Sequence, residues 1–145
     1  MTWLLDTNVV SELTRPRPDA NVVDWIDRHS EDQFLLHLSA LTLAEIFRGV
    51  MRLERRGPQF ARLWSWVTSD LPTRFGGRIL PFDADVAETW GKMTAAVPKG
   101  IAVATMDSLI AATARHYGLV LVTRNVVDMR HFPGLDTDDP WLAEP

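Results

Sequence analysis

Acidic side chains stand at junctions of this chain where an apolar segment gives way to a helical pattern. Asp6 follows the first such segment, Glu45 lies early in the helix after the second, and Asp107 lies in the first turn of a later helix. A fourth junction, after residues 119–122, carries Asn125. Clustered carboxylates repel one another unless a cation joins them, and oxygen-only ligands suit Mg²⁺ or Mn²⁺. Such an ion polarises a phosphodiester and activates water, so the pattern indicates nucleic-acid hydrolysis.

Each of these acids also has a purely structural explanation. Asp6 is a good helix N-cap, and Thr42 with Glu45 has the spacing of a capping box. Asp107 has the favourable position of an acid in a first helical turn, and Asp128 fits a plain polar turn. The recurrence of acids at successive junctions is what favours a common site over separate caps.

The elements that would position these residues alternate along the chain. Apolar segments predict strands at residues 3–5, 33–38, 78–82 and 119–122, with a further edge strand near His131–Phe132. Helical patterns lie between them. This order predicts a parallel sheet covered by helices on both faces. Ligands of such sheets bind beyond the carboxyl ends of the strands, where the acids are expected.

The helix predicted over residues 42–55 carries basic residues beside Glu45. At 100° per residue, Arg48, Arg52 and Arg56 share the face of Glu45, opposite the apolar side chains. Residues 46–78 hold seven bases and two acids, a local charge of +5, although the whole chain has a net charge of −4. These three arginines are therefore candidates for binding the phosphates of a nucleic acid, although a solvated helix surface is the commoner outcome for arginines on a helix.

Composition limits the class of protein. The chain has 145 residues, 46% of them hydrophobic, which suits one folded domain. It contains no cysteine, which excludes disulfides and thiolate metal ligands. It has no apolar segment of membrane-spanning length and no signal-like start, so we expect a cytoplasmic protein. The domain is expected over residues 1–135, followed by an acidic tail at 136–145.

Four motifs in order resemble the PIN domain, and more narrowly the VapC toxins of bacterial toxin–antitoxin pairs. They are Asp6-Thr-Asn, Leu-Thr-Leu-Ala-Glu45-Ile-x-x-Gly, Asp107-Ser-Leu-Ile-Ala-Ala-Thr-Ala, and Leu-Val-Thr-Arg-Asn125-Val-Val-Asp. The resemblance covers about residues 3–135. It implies a three-layer α/β/α fold with a central four- to five-stranded parallel sheet.

The resemblance also implies roles for individual residues. Asp6, Glu45 and Asp107 fall on the acidic triad of the family, which binds the metal ion. Asn125 falls where many members carry a fourth acid, and it is expected to take part in catalysis by holding a metal-bound water. Supporting roles are expected for the polar neighbours of these residues, namely Thr7, Asn8, Thr123 and Asp128.

By the same resemblance the chain is a Mg²⁺-dependent endoribonuclease, with Mn²⁺ as a second candidate cation. It is the toxin of a type II toxin–antitoxin system. The expected partners are an RNA substrate, a VapB-type antitoxin, a second copy of the chain in a homodimer, and operator DNA only through the antitoxin. The alternative is a non-catalytic PIN-like module that binds nucleic acid or protein.

Two other enzyme classes share the opening pattern of an apolar strand followed by Asp. A haloacid-dehalogenase-type phosphatase needs a second Asp where this chain has Asn8, and a receiver domain needs a later Lys for which Lys99, between Pro and Gly, is poorly placed.

Six tryptophans offer candidate interface anchors. The helical pattern predicts Trp66 as exposed and off the core stripe of its helix, and favours a core position for Trp3, Trp64 and Trp90.

Overall fold

A parallel sheet of five short strands forms the centre of the structure, a computed structural model that describes residues 1–144 apart from the side chains of residues 33 and 34. The strands, in chain order, are β1 (Trp3–Leu5), β2 (Leu36–Ser39), β3 (Ile79–Leu80), β4 (Val120–Val122) and β5 (Thr137–Asp138). Their spatial order is β3-β2-β1-β4-β5, and every pairing is parallel. The strand order therefore reverses between β1 and β4, and such a switch point opens a crevice for ligands.

Helices connect the strands and cover both faces of the sheet. They are α1 (Thr7–Glu12), α2 (Ala20–His29), α3 (Ala40–Met51), α4 (Pro58–Ser65), α5 (Leu71–Phe75), α6 (Ala84–Ala95), α7 (Thr105–Tyr117) and α8 (Val126–Met129). Short 3₁₀ segments at Ser30–Leu35 and Gly76–Arg78 and a π-helix at Trp66–Asp70 complete the elements. Within residues 1–144, no helix has both the length and the apolar character needed to cross a bilayer.

The core has two halves, one on each face of the sheet. Because successive strand residues point to opposite faces, Leu5 and Val122 pack with α1, α2, α3 and α5, whereas Leu4 and Leu121 pack with α6, α7 and α8. The first half is called the α2-side core below. This arrangement confirms the predicted three-layer α/β/α fold with a parallel sheet.

Most predicted helix boundaries follow from local capping. Asp19 and Asp83 cap α2 and α6 by accepting hydrogen bonds from backbone N–H groups. Gly118 ends α7 in the left-handed conformation, with φ of 66°. The start of the helix carrying Glu45 was predicted wrongly at Thr42. The N-cap is Ser39, whose Oγ accepts from Leu41 N at 3.1 Å, so α3 begins earlier and also ends earlier than expected.

Three strands differ from the prediction. Strand β3 is shorter than the predicted 78–82, because Arg78 belongs to a 3₁₀ segment. The second strand begins at Leu36 rather than at residue 33, because a 3₁₀ segment occupies the residues before it. The fifth strand lies at Thr137–Asp138, not near His131–Phe132, which lies in a turn after α8. Its two residues pair with Leu121 and Val122 of β4. An apolar pattern predicts this strand poorly because Thr137 and Asp138 are polar and β5 lies at the edge of the sheet.

The predicted exposures of Trp64 and Trp66 were wrong. Trp64 is 40% exposed, and its ring stacks on Phe60 and meets Phe47 edge-on. Trp66 is half-buried and packs against the α2-side core. The backbone enters the π-helix at Trp66, and its wider turn brings both Trp66 and Val67 toward the core. A constant 100° spacing cannot represent that change. Trp3 and Trp90 pack against the core as predicted.

Candidate active site

The candidate site lies where β1 and β4 end side by side, at the switch point of the sheet. Asp6 follows β1 directly and is only 2% exposed. Its Oδ1 accepts a hydrogen bond from Thr7 N at 2.7 Å, so Asp6 does cap α1. Its Oδ2 accepts from Thr123 Oγ1 at 2.8 Å, across the two strands. Asp6 therefore caps α1 and at the same time bonds to a residue that follows the neighbouring strand.

Thr123 connects the first and last motifs of the chain. This fully buried residue follows β4 and donates its hydroxyl proton to Asp6. The same oxygen accepts from Asn125 N at 3.0 Å and from Asn8 Nδ2 at 3.3 Å. A hydroxyl has one proton and two lone pairs, so Thr123 has used all of its hydrogen-bonding capacity. Its neighbours are consequently held in a single arrangement.

Glu45 reaches the site from α3. Its Oε1 accepts from Thr7 Oγ1 at 2.6 Å, and the Thr7 and Thr42 hydroxyl oxygens are 3.2 Å apart. Because Thr7 has a single hydroxyl proton, it donates to Glu45 and can accept from Thr42. Glu45 is six residues past Ser39, the N-cap, so the capping-box explanation of this residue was wrong. The carboxylate instead faces the residues that follow β1.

Thr42 is a site residue that sequence reasoning missed. It was interpreted as a helix cap, yet it is fully buried inside α3, beside the Thr7 hydroxyl. A signal was present in the sequence: Ser39 is a better-placed cap at the end of the strand, which leaves Thr42 a polar residue on the sheet side of the helix. Buried hydroxyls need a partner, and here the partner belongs to the first motif.

Asp107 is held by Asn125 rather than by a helix end. Asp107 lies in the first turn of α7, whose N-cap residue Ala104 has no side-chain hydrogen bond. Asn125 Nδ2 donates to Asp107 Oδ2 at 3.2 Å. An acid at position 125 would repel Asp107, whereas the amide donates to it. The Asn in this chain therefore stabilises the carboxylate that it faces.

Burial and mutual repulsion raise the pKa of the two aspartates. Removal from water is the main reason that the pKa of Asp6 rises to about 6. Hydrogen bonds from Thr123 and Thr7 oppose this rise, while the charges of Asp107 and Glu45 add to it. The three acids thus interact electrostatically, as expected for one site.

The pKa of Asp107 is also raised, first by burial and then by the negative charge of Glu45. The hydrogen bond from Asn125 lowers it, and the charge of Asp128 raises it. Asp128 is therefore an electrostatic neighbour of the site. All the residues predicted at the acidic site are thus brought together, including the supporting residues Thr7, Asn8 and Thr123.

The three predicted RNA-binding arginines are not on one helix face. Helix α3 ends at Met51 and Arg52 is its C-cap, so Arg56 lies beyond the helix. The Arg56 guanidinium donates to Met51 O at 3.1 Å and to Leu53 O at 2.5 Å, and lies over the Phe60 ring. The prediction of a shared face was wrong for Arg56 because it extended the helix too far. Arg48 and Arg52 are exposed and form no ion pair within the described residues.

The acidic residues offer the oxygen ligands that a hard divalent cation prefers. Within residues 1–144, no three acidic, histidine or cysteine side chains are arranged as a ready metal-binding group. Both oxygens of Asp6 and one of Glu45 accept hydrogen bonds. The donors are nonetheless all oxygens, and a cation would offset their mutual repulsion, which adds to the effect of burial on the pKa values of Asp6 and Asp107. Binding would exchange some of these hydrogen bonds for metal contacts.

The raised pKa of Asp6 predicts a pH dependence of stability. With a pKa of about 6 in the folded chain and 3.8 as the ordinary value, the folded state binds more protons than the unfolded state between these pH values. The free energy of unfolding therefore falls as pH rises through this window. We expect the cation-free wild type to gain roughly 1 kcal/mol relative to Asp6→Asn when pH falls from about 7 to 5. Urea unfolding at both pH values measures this gain, and a difference that is independent of pH would contradict it.

Comparisons with known proteins agree with this fold. The PIN domain family matches residues 3–133. Toxin FitB of Neisseria gonorrhoeae is 39% identical over 123 residues, which are 84% of this chain and 86% of FitB. VapC ribonuclease Y4jK of Sinorhizobium fredii is 34% identical over 95% of this chain and 96% of its own length.

A solved structure has the same architecture. The structure of FitAB bound to an IR36 DNA fragment contains a chain with a TM-score of 0.88 and 34% identity, and 99% of both chains is covered. The family match spans nearly the whole chain, and the relatives align along most of their own length. The chain therefore belongs to the PIN-domain family and, within it, to the VapC-type ribonucleases of toxin–antitoxin systems.

Proposed function

We propose that the chain is a toxin whose endoribonuclease site consists of Asp6, Glu45, Asp107 and Asn125. The observation that supports this most strongly is the hydrogen-bond network at the switch point. It links residues from four separate motifs through Thr7 and Thr123. A set of separate helix caps would need no such connection.

VapC-type nucleases are metal-dependent, and we propose Mg²⁺ for this chain, with Mn²⁺ as the alternative. Asp6, Glu45 and Asp107 would hold the ion, which when bound polarises a phosphodiester and lowers the pKa of water. Burial is the main cause of the raised pKa values of Asp6 and Asp107, and repulsion among the carboxylates adds to it; a bound cation would offset that repulsion.

The remaining site residues orient these carboxylates. Thr7 fixes one Glu45 oxygen, Thr123 fixes one Asp6 oxygen, and the Asn125 amide fixes Asp107. The amide of Asn125 also has a carbonyl oxygen that can accept from the attacking water. Asn8 supports Thr123, and Asp128 adds negative charge beside Asp107. Removing a residue that orients a metal ligand typically lowers activity by 10–100-fold.

We further propose that Arg48 and Arg52 bind RNA phosphates near Glu45. Both are exposed on or next to α3 and are free of ion pairs within the described residues. The double variant Arg48→Ala/Arg52→Ala should weaken RNA binding and lower its salt dependence, because two cations no longer release counterions. Fluorescence anisotropy at several salt concentrations measures this. Arg56→Ala is the matched control because its guanidinium is occupied by backbone carbonyls, and equal salt slopes for all three proteins would contradict the proposal.

The proposed partners follow from the relatives. FitB is named a toxin, and FitAB is a complex that binds a DNA fragment. We propose that a VapB-type antitoxin blocks the site of this chain in the cytoplasm and carries the complex to operator DNA. A homodimer of the chain is part of the same proposal. The RNA that is cleaved is to be identified by mapping cleavage sites in growing cells.

Expression of the chain in growing cells tests the toxin function. The chain alone should arrest growth, because free ribonuclease activity destroys cellular RNA. Co-expression with the small reading frame beside its gene should restore growth and yield a complex that co-purifies. Expression of the chain with an empty second plasmid is the control. A chain that is harmless alone and binds no product of a neighbouring gene would exclude the toxin assignment.

A further inference from the structure

The C-terminal segment, residues 136–144, is built into the edge of the candidate site. Strand β5 pairs with β4, and Thr123 N donates to Asp138 O at 2.9 Å. The Asp138 carboxylate accepts from Trp25 Nε1 at 3.1 Å. Thr123 is the residue that orients Asp6, so the segment is one hydrogen bond away from the site.

Trp141 is the fixed aromatic residue of this segment. Its backbone N donates to Asp139 Oδ1 at 2.9 Å, and its carbonyl oxygen accepts from Asn21 Nδ2 at 2.8 Å. The ring packs against the α2-side core, and Glu144 forms an ion pair with Arg28 on α2. The backbone of Trp141 and the nearby Glu144 are therefore both attached to α2, which fixes the position of the ring.

The guanidinium of Arg124 lies over this ring, and the backbone of Arg124 lies beside the site. Its guanidinium carbon is 5.0 Å from the Trp141 ring centroid. Its backbone N donates to Asn8 Oδ1 at 3.5 Å, and its chain neighbours Thr123 and Asn125 bond to Asp6 and Asp107. The side chain is exposed and forms no salt bridge within residues 1–144, although carboxylates surround the site. Its guanidinium donors remain available to a ligand.

We propose that Arg124 binds an RNA phosphate next to the one that is cleaved, and that Trp141 holds Arg124 in position. A guanidinium on an indole face keeps its N–H groups free at the edge, where they match phosphate oxygens. A free phosphate-binding cation beside an acidic site would offset the repulsion between RNA and these carboxylates. This inference rests on the proposed ribonuclease function and gives the C-terminal segment a part in substrate binding.

Arg124→Ala tests the binding role. We expect the dissociation constant for a single-stranded RNA, measured without divalent cation, to rise on the order of tenfold, the loss of one charge-assisted contact. The slope of log affinity against log salt should fall by about 0.7, because one fewer phosphate is neutralised. The cleavage rate at saturating RNA with Mg²⁺ should change less than about threefold, because Arg124 forms no side-chain bond to the acidic residues. Arg17→Ala, another exposed arginine without an ion pair in the described chain, is the control and should behave as wild type.

Trp141→Ala and Trp141→Phe test the positioning role. We expect the Ala variant to weaken RNA binding about threefold, while the Phe variant retains a ring and binds nearly as wild type. The double variant Arg124→Ala/Trp141→Ala should bind no worse than Arg124→Ala alone, since Trp141 acts through Arg124. Additive losses in the double variant would overturn the positioning role, as would equal losses for Phe and Ala.

The outcomes separate this inference from the ribonuclease proposal. A wild-type chain that cleaves no RNA overturns the proposed function itself. An active wild type with an Arg124→Ala variant of unchanged affinity and salt slope overturns only the role of Arg124. If that variant keeps the wild-type affinity and salt slope for RNA but escapes inhibition by the co-purified antitoxin, Arg124 belongs to the antitoxin interface and the proposal is wrong.

Discussion

Asp6→Asn is expected to reduce RNA cleavage on the order of a thousandfold or more while the chain still folds. Removing a residue that acts in the reaction itself has effects of this size. The substitution removes a buried negative charge at the centre of the site, and the remaining carbonyl can still accept from Thr7 N. A time course of cleavage of a labelled RNA with Mg²⁺ measures the loss, and circular dichroism with thermal unfolding shows whether the variant is folded.

A matched control for this variant is Asp19→Asn. Asp19 is also an Asp that caps a helix, through Asn21 N and Val22 N, but it lies away from the acidic site. Asn caps helices about as well as Asp, so this variant should keep full activity. EDTA should abolish cleavage by wild type and by this control alike. Wild-type rates from Asp6→Asn, or from wild type in EDTA, would disprove the proposed chemistry.

Thr123→Val should lower both stability and activity, although Val has nearly the same shape. The methyl group leaves Asp6 Oδ2 without its donor and Asn125 N without its acceptor, in a site where Thr123 is fully buried. Leaving a buried polar group unsatisfied costs about 1–3 kcal/mol, and more if it is charged. We expect a loss of roughly 2–3 kcal/mol in the free energy of unfolding. Urea unfolding at pH 7 without divalent cation measures it.

The same variant should cleave RNA about 10–100-fold more slowly, the usual cost of removing a residue that orients ligands. Thr123→Ser is the control: it keeps the hydroxyl and should retain most of both quantities. If Thr123→Val keeps the same stability and cleavage rate as Thr123→Ser, the hydrogen bond between Thr123 and Asp6 does not hold the ends of β1 and β4 in place. The proposed role of Thr123 in the network is then wrong.

The acidic positions could be predicted from the sequence because the rule for parallel sheets is simple. Asp6 follows an apolar strand, Asp107 lies in the first turn of a helix, and Glu45 lies in the first half of the helix that follows β2. The carboxyl ends of parallel strands meet at one edge. Asp6, Glu45 and Asp107 therefore converge whatever the detailed loop geometry. Their hydrogen-bond partners could be anticipated only in part, since which hydroxyl faces which carboxylate depends on packing across the sheet.

The errors have physical causes that act beyond a local pattern. Thr42 was placed at a helix end because its spacing to Glu45 fits a capping box, whereas Ser39 competes for that position and has the better geometry. Trp66 was predicted as exposed because a constant 100° spacing does not allow for the π-helix that begins at this residue. Strand β5 was missed because its two residues, Thr137 and Asp138, are polar and lie at the edge of the sheet, where no apolar pattern is required.

The central place of the first strand in the sheet has a consequence for synthesis of the chain. Strand β1 pairs with β4, and Asp6 bonds to a residue 117 positions later. A growing chain therefore carries Asp6 and Glu45 long before it can fix them, because Thr123 is made much later. Contacts between residues so distant along the chain are slow to form. A growing chain that does not yet contain Thr123 therefore lacks an assembled site, so the ribosome that makes this enzyme is not exposed to its activity during most of the synthesis.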